Sequence, residues 1–166
     1  AILEDVIKKH FKEKNIVAAN VDNVLRDLSD SVINNSNIDL ITTEQKDGLD
    51  ILRHTCAHIF GHAIKQLHPD VKMVIGPVIE NGFYYDILSE TPITEKDLTL
   101  IENRMRKLIK KNYSIKREVV PKEQAIAIFE ERKEPYKVEL LKEISEKEVI
   151  AIYHHEEYMD MCRGPH

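Results

Sequence analysis

The chain has 166 residues, 42% apolar and 32% charged, enough to bury a real core in one domain or a domain with a small appendage. A formal net charge of −5 argues against a nucleic-acid grip spread over the whole surface, and two cysteines are too few for a disulfide scaffold and suit a reducing compartment. No apolar run approaches the roughly 18 residues of a membrane helix, and "AILEDVIKKHFKEK" lacks a signal-peptide pattern, so a cytoplasmic protein without membrane contact is expected.

In chain order, residues 2–14 predict a short amphipathic helix, with Leu3, Val6, Ile7 and Phe11 at helical spacing. "NIVAANVDNVLRDLSDSV" and "NIDLIT" follow as short strands of a small α+β unit, broken by Asp-Asn and Asn-rich turn signals. The polar stretch "TTEQKDG" at 42–48 reads as a boundary before a strong helix over 47–67, which His68-Pro69 ends. "VKMVIGPVIENGFYYDI" predicts a hairpin turning around Asn81-Gly82, a dipeptide that readily supplies positive φ. Thr94-x-x-Asp97 predicts a capping box opening a helix to about residue 111. "YSIKREVV" is strand-like, Pro121 suits the first position of a helix "PKEQAIAIFEERK", and "VIAIYHHEEYMDM" supplies one or two final strands. There is no internal repeat.

The 47–67 helix carries the first chemical signal. Leu49, Leu52, Cys56, Ile59, Phe60, Ala63 and Leu67 share one face, whereas His54, His58 and His62 form an i, i+4, i+8 column nearly opposite. This reads Cys56 as a small core residue and leaves the histidines either as an exposed row or as part of a site. The chain's last residues, "CRGPH", favour a site, because Gly164-Pro165 cannot continue a helix and sets Cys162 and His166 on a turn. His54, His58, Cys162 and His166 offer the donor types of a tetrahedral zinc set. The same groups without metal suit binding a small polar substrate and moving protons. A cysteine–histidine nucleophile with Asp160 as orienter is a third reading, though nothing marks the thiol as activated. Separately, Arg104, Arg106, Lys107, Lys110, Lys111, Lys116 and Arg117 crowd into "RMRKLIKKNYSIKR", which is either a solvated face or a phosphate-facing patch.

Three strings, "ILRHTCAHIFGHAIKQLHPDVKMVIGPVIENGFYYDI", "EPYKVELL" and "HEEYMDMCRGPH", closely resemble the amino-terminal editing domain of bacterial-type threonyl-tRNA synthetases. Residues 1–43 resemble, more weakly, most of the ubiquitin-like β-grasp domain that precedes it, without the first strands. The resemblance implies an α+β fold: a small, partial β-grasp-like unit over 1–43, then a mixed helix and antiparallel-sheet editing domain over 44–166 with a central histidine-bearing helix. It also implies a fragment of a longer chain, stopping short of the aminoacylation core and anticodon-binding domain.

The implied activity is hydrolysis of the ester of seryl-tRNA(Thr), sparing threonyl-tRNA(Thr), within an enzyme that joins threonine to tRNA(Thr) using ATP. Such an activity has a physical motive, since one methyl is worth only about 1–3 kcal/mol of discrimination in a binding pocket. The family's editing residues fall on His54 and His58, on Tyr85, on Lys137, and on Asp160, Cys162 and His166. His54 is expected to position the attacking water and Lys137 to supply a cation. His58, Cys162 and His166 would line the seryl side, Asp160 would hold the substrate's α-ammonium, and Tyr85 would close the wall. No cofactor is expected for editing. Zinc on His54, His58, Cys162 and His166 is the other possibility, while ATP, magnesium and the zinc of the synthetic core belong to the missing part. The implied partners are the acceptor end of tRNA(Thr), the remainder of the synthetase chain and, for the parent enzyme, a second copy. A structural zinc module and a non-catalytic tRNA-binding appendage are the readings from other classes.

Overall fold

In the computed structural model, which describes residues 1–166, the chain opens with helix α1 (Leu3–His10), shorter than its sequence pattern. Glu4 and Asp5 lie in its first turn and Lys8, Lys9 and His10 in its last, matching the helix dipole. Strands β1 (Ile16–Val21) and β2 (Val24–Arg26) form a hairpin through Asp22-Asn23, whose φ angles of 52° and 66° are those of a tight primed turn. Strand β3 (Ile38–Thr42) pairs antiparallel on the other side of β1, giving the order β2-β1-β3. The central strand is buried on both faces. Ala19 and Val21 meet Leu3 and Ile7 of α1, while Ala18 packs with Ile41 and with Ile51 of helix α2 (Lys46–Leu67). Gly48 is required at the start of α2, because a Cβ there would lie 1.9 Å from the Thr42 carbonyl oxygen.

Two units emerge: Ala1–Thr55 with Gly164–His166, and Cys56–Arg163. The long helix α2 gives its first turns to one and its remainder to the other.

In the second unit, β4 (Lys72–Ile75) pairs with β7 (Asp86–Leu88), and β5 (Val78–Ile79) with β6 (Gly82–Phe83), as inner and outer parts of one hairpin. Helix α3 (Glu95–Lys111) has the expected capping box at Thr94 and Asp97 and ends on Asn112 in the left-handed conformation. The inner face of α2, the hairpin and α3 share a core of Ala63, Ile64, Val71, Met73, Ile101 and Leu108. Strands β8 (Lys116–Val120), β9 (Ile150–His155) and β10 (Tyr158–Cys162) make an antiparallel sheet of order β10-β9-β8. Helices α4 (Lys122–Glu131) and α5 (Pro135–Glu143) bury Ala125, Phe129, Val138 and Leu141 against Ile150 and Ile152 of β9. Strand alternation then turns Ala151, Tyr153 and His155 to the opposite face. No helix is long and apolar enough to cross a membrane.

The α+β class holds, and several local readings are corrected. The hairpin turns at Glu80-Asn81, and Gly82 already pairs with Ile79 without positive φ. Phe83 and Tyr85 set that register, their rings packing 6.4 and 5.9 Å from Phe60. Pro121 caps α4 one position before its first turn. Helix α5 was not foreseen, although Pro135 stands at its first position.

The buried face of α2 also differs from the apolar count. Leu52 is 46% exposed and Cys56 only half-buried, whereas His58 and His62 are 2% and 1% exposed beside Ala57, Gly61 and Ile64. The histidine column is therefore not an exposed row. Its polar atoms are satisfied inside the fold, which a hydropathy pattern cannot register.

Candidate active site

Two neighbouring turns of α2 carry His54 and His58, and each has partners within its own unit. In the first, the rings of His54 and His166 lie 4.5 Å apart, centroid to centroid. His166 is fixed by Thr55 Oγ1, 3.0 Å from its Nδ1, and by its backbone N–H, which donates to Asp27 Oδ2 at 3.2 Å. Asp27 is buried and accepts in turn from the backbone and hydroxyl of Ser29. Gly164, at φ 67°, supplies the left-handed step before the cis bond to Pro165.

In the second unit, strand alternation points Tyr158, Asp160 and Cys162 to one side of β10. Asp160 is 2% exposed and its oxygens are fully engaged. Oδ1 pairs with Lys137 Nζ at 2.7 Å and accepts the Met161 N–H at 2.8 Å. Oδ2 accepts from the hydroxyls of Tyr85 at 2.7 Å and Tyr158 at 3.1 Å, and faces His58 Nε2 at 3.8 Å. Burial pushes the Asp160 carboxyl up. The Lys137 and His58 charges and the hydrogen bonds from Lys137 and Tyr85 outweigh it and hold the group well below the usual carboxylate range. Burial and then the Asp160 charge push both tyrosine hydroxyls upward, so they remain donors.

Lys137, on α5, is 5% exposed, a buried ammonium rather than a solvated one. It also donates to Tyr85 Oη at 3.0 Å and lies 5.4 Å from the centre of that ring. Tyr85 reaches this position because Gly76 has no side chain; a Cβ there would sit 2.5 Å from the ring. Gly61 admits Tyr158 in the same way, since its Cβ would fall 2.2 Å from the hydroxyl. Lys137 and Tyr158 also line a cavity of about 100 Å³ with Lys65, Arg132 and Glu134. The expected ammonium partner of Asp160 is thus already present in the chain.

The other face of His58 was missed by sequence reasoning. Its Nδ1 lies 3.2 Å from His155 Nε2, and His155 Nδ1 lies 3.0 Å from Tyr113 Oη. The same hydroxyl is 3.3 Å from His62 Nδ1, and His62 Nε2 is 2.8 Å from Glu157 Oε1. Burial, then the His62 charge, lower His155 to about 4 and keep it neutral. Only the two-residue spacing of Tyr153 and His155 on β9 hinted at this face.

His54, His58, Cys162 and His166 carry the imidazole and thiol donors that zinc takes. Of the basic run, Arg104, Arg106, Lys107 and Lys110 line an open groove on α3 with Leu67 and Asn103. Arg106 is paired with Glu102 and Lys111 with Glu156.

No family model matches the chain. Among curated proteins it is 51% identical over 153 residues to the threonine–tRNA ligases of Psychrobacter cryohalolentis, Psychrobacter arcticus and Prochlorococcus marinus subsp. pastoris. Each alignment takes in 92% of this chain, which spans about a quarter, 24%, of the relative's length. At half identity across nearly all its residues, the chain is similar to the amino-terminal region of threonine–tRNA ligases.

Proposed function

We propose that this chain is the hydrolytic editing part of such a ligase, cleaving the ester of seryl-tRNA(Thr) and sparing threonyl-tRNA(Thr). The observation that carries the reading is the buried Lys137 ammonium, clasped by Asp160 and Tyr85 beside His58. A fixed cation in a desolvated setting stabilises the oxyanion that develops in ester hydrolysis without reorganising during the reaction.

His54 is assigned the attacking water and Lys137 the developing negative charge. His58, Cys162, His166 and Tyr85 are assigned to the aminoacyl end, where a threonyl methyl would meet the wall. Asp160 holds Lys137 and both tyrosines rather than the substrate's ammonium, because its acceptor positions are taken. The partners on this reading are the acceptor end of tRNA(Thr) and the rest of the ligase chain, with the α3 groove offered to phosphate. The donor set His54, His58, Cys162 and His166 supports a second reading, in which zinc activates the water.

Single-turnover deacylation of seryl- and threonyl-tRNA(Thr), with and without chelator, tests both. We expect seryl-specific hydrolysis that survives chelation and that His54→Ala slows by about 10²–10⁴-fold at saturating substrate. Loss on chelation with recovery on zinc would establish the second reading, and hydrolysis of neither ester would overturn both.

A further inference from the structure

The ammonium on which the hydrolytic reading rests has a second carboxylate close by. Glu134 stands at the entrance of α5, three residues before Lys137, and both side chains line the cavity of about 100 Å³. Glu134 is buried, and its charge adds to burial and to Asp160 in pushing the Tyr85 hydroxyl upward. A buried lysine between two buried carboxylates has a choice of partner, because pairing offsets part of the desolvation cost of either one.

Lys65 removes the choice. From the last turn of α2 its ammonium donates to the carbonyls of Pro69 and Val71, both at 2.8 Å, and pairs with Glu134 Oε1 at 2.7 Å. Each of its three protons thereby has an acceptor. The other carboxylate oxygen, Oε2, accepts the Met73 N–H of β4 at 3.0 Å. With a donor on each oxygen, Glu134 is satisfied without Lys137. Arg132, the remaining cation on the cavity, donates to the Glu157 carbonyl at 2.8 Å. Lys137 is left to Asp160 at 2.7 Å and to Tyr85 at 3.0 Å.

We propose that Lys65 is a positioning residue: by occupying Glu134 it denies that carboxylate to Lys137 and keeps the buried ammonium on Asp160 and Tyr85. The role deepens the hydrolytic reading and rests on it for its effect on rate. The choice of partner is independent of any reaction.

The test is a loss followed by a recovery. Lys65→Met keeps the length of the side chain and withdraws its charge, leaving Glu134 with the Met73 N–H. Lys137 is then drawn through the shared cavity toward Glu134 and away from Tyr85. Lys65→Met/Glu134→Gln removes the competing charge as well, and Lys137 returns to Asp160. Support of the fold alone gives no such recovery. Nuclear Overhauser contacts from the Lys137 ε-methylene to the Tyr85 ring, whose centre is 5.4 Å from Nζ, follow the ammonium directly. Backbone amide spectra check that each variant is folded. We expect these contacts in the parent chain, their loss in Lys65→Met and their return in the double variant. In single-turnover deacylation, Lys65→Met should lower the saturated rate by roughly 10- to 100-fold with little change in the half-saturating concentration, the expected effect of misplacing a charge-stabilising group. The double variant should regain most of that loss. Where Lys65→Met does not fold, Lys65→Gln, which retains a donor for the carbonyls, is read in the same way. Contacts absent from the parent, contacts that persist in Lys65→Met, or a double variant no better than the single would overturn the proposal. If the parent hydrolyses neither ester, the editing reading fails while the contacts still decide the position of Lys137.

Discussion

Replacing Lys137 with methionine keeps the volume of the side chain and removes its charge, leaving Asp160 buried with two tyrosine hydroxyls and one backbone N–H. At 2.7 Å the pair attracts by about 6 kcal/mol for an effective dielectric constant of about 20. Desolvation of both groups consumes much of that, so the pair itself adds little net stability. Truncating one partner is different, because the remaining charge keeps its desolvation cost; a loss of about 3–5 kcal/mol is expected.

That loss corresponds to a fall of roughly 10 °C in melting temperature. Urea unfolding followed by far-UV circular dichroism suits a chain without tryptophan. Lys137→Met should be destabilised in this way near pH 7 and less so near pH 4, where Asp160, without its ammonium, takes up a proton. Lys137→Met/Asp160→Asn should regain at least half of the lost stability. A single-variant loss below about 1 kcal/mol, or a double variant costing the sum of the two singles, would show that the pair is not the coupled, desolvated unit described here.

Acid should act first through His155, whose pKa near 4 lies below the 6.5 of an ordinary histidine because of burial and the His62 charge. The unfolded chain binds a proton between these values that the folded chain refuses, so stability is complete above about pH 6.5 and falls by roughly 3 kcal/mol toward pH 4; a urea midpoint unchanged from pH 7 to 5 would contradict this. Lys107→Gln/Lys110→Gln, on the α3 groove, should weaken tRNA(Thr) binding and flatten its salt dependence by about two counterions without altering the seryl-to-threonyl preference. Filter binding across a salt series checks it, and unchanged slope and affinity would return the groove to ordinary surface.

Much of the architecture could be read before any coordinates. The apolar spacing of α2, the Thr94-Asp97 box and the Asp22-Asn23 turn are local signals, and each element formed where its signal lay. The histidine face of α2 shows where local reading stops. His58 and His62 are polar by any scale, yet they are buried because His155, Tyr113 and Glu157 arrive from elements far along the chain to satisfy them. Lys137 is the same case on α5, a charge that looks solvated until Asp160 is brought to it. The residue types of the candidate site were thus legible, whereas the partners that set their charge and orientation were not. One partner could have been found: Tyr158-x-Asp160-x-Cys162 is a strand alternation that marks Tyr158 as a neighbour of the site.

The sheet β10-β9-β8 ends on β8, whose backbone is a potential template for another strand. Its sequence, Lys116-Arg117-Glu118-Val119-Val120, makes self-association awkward in either direction. Parallel in-register stacking would set lysine on lysine, arginine on arginine and glutamate on glutamate, and antiparallel stacking centred on the strand would still oppose two copies of Glu118. The Glu118 side chain is further occupied by His154 of the adjacent strand, 2.8 Å away. A chain carrying this edge is guarded against cross-β growth at a strand that would otherwise be an open invitation to it.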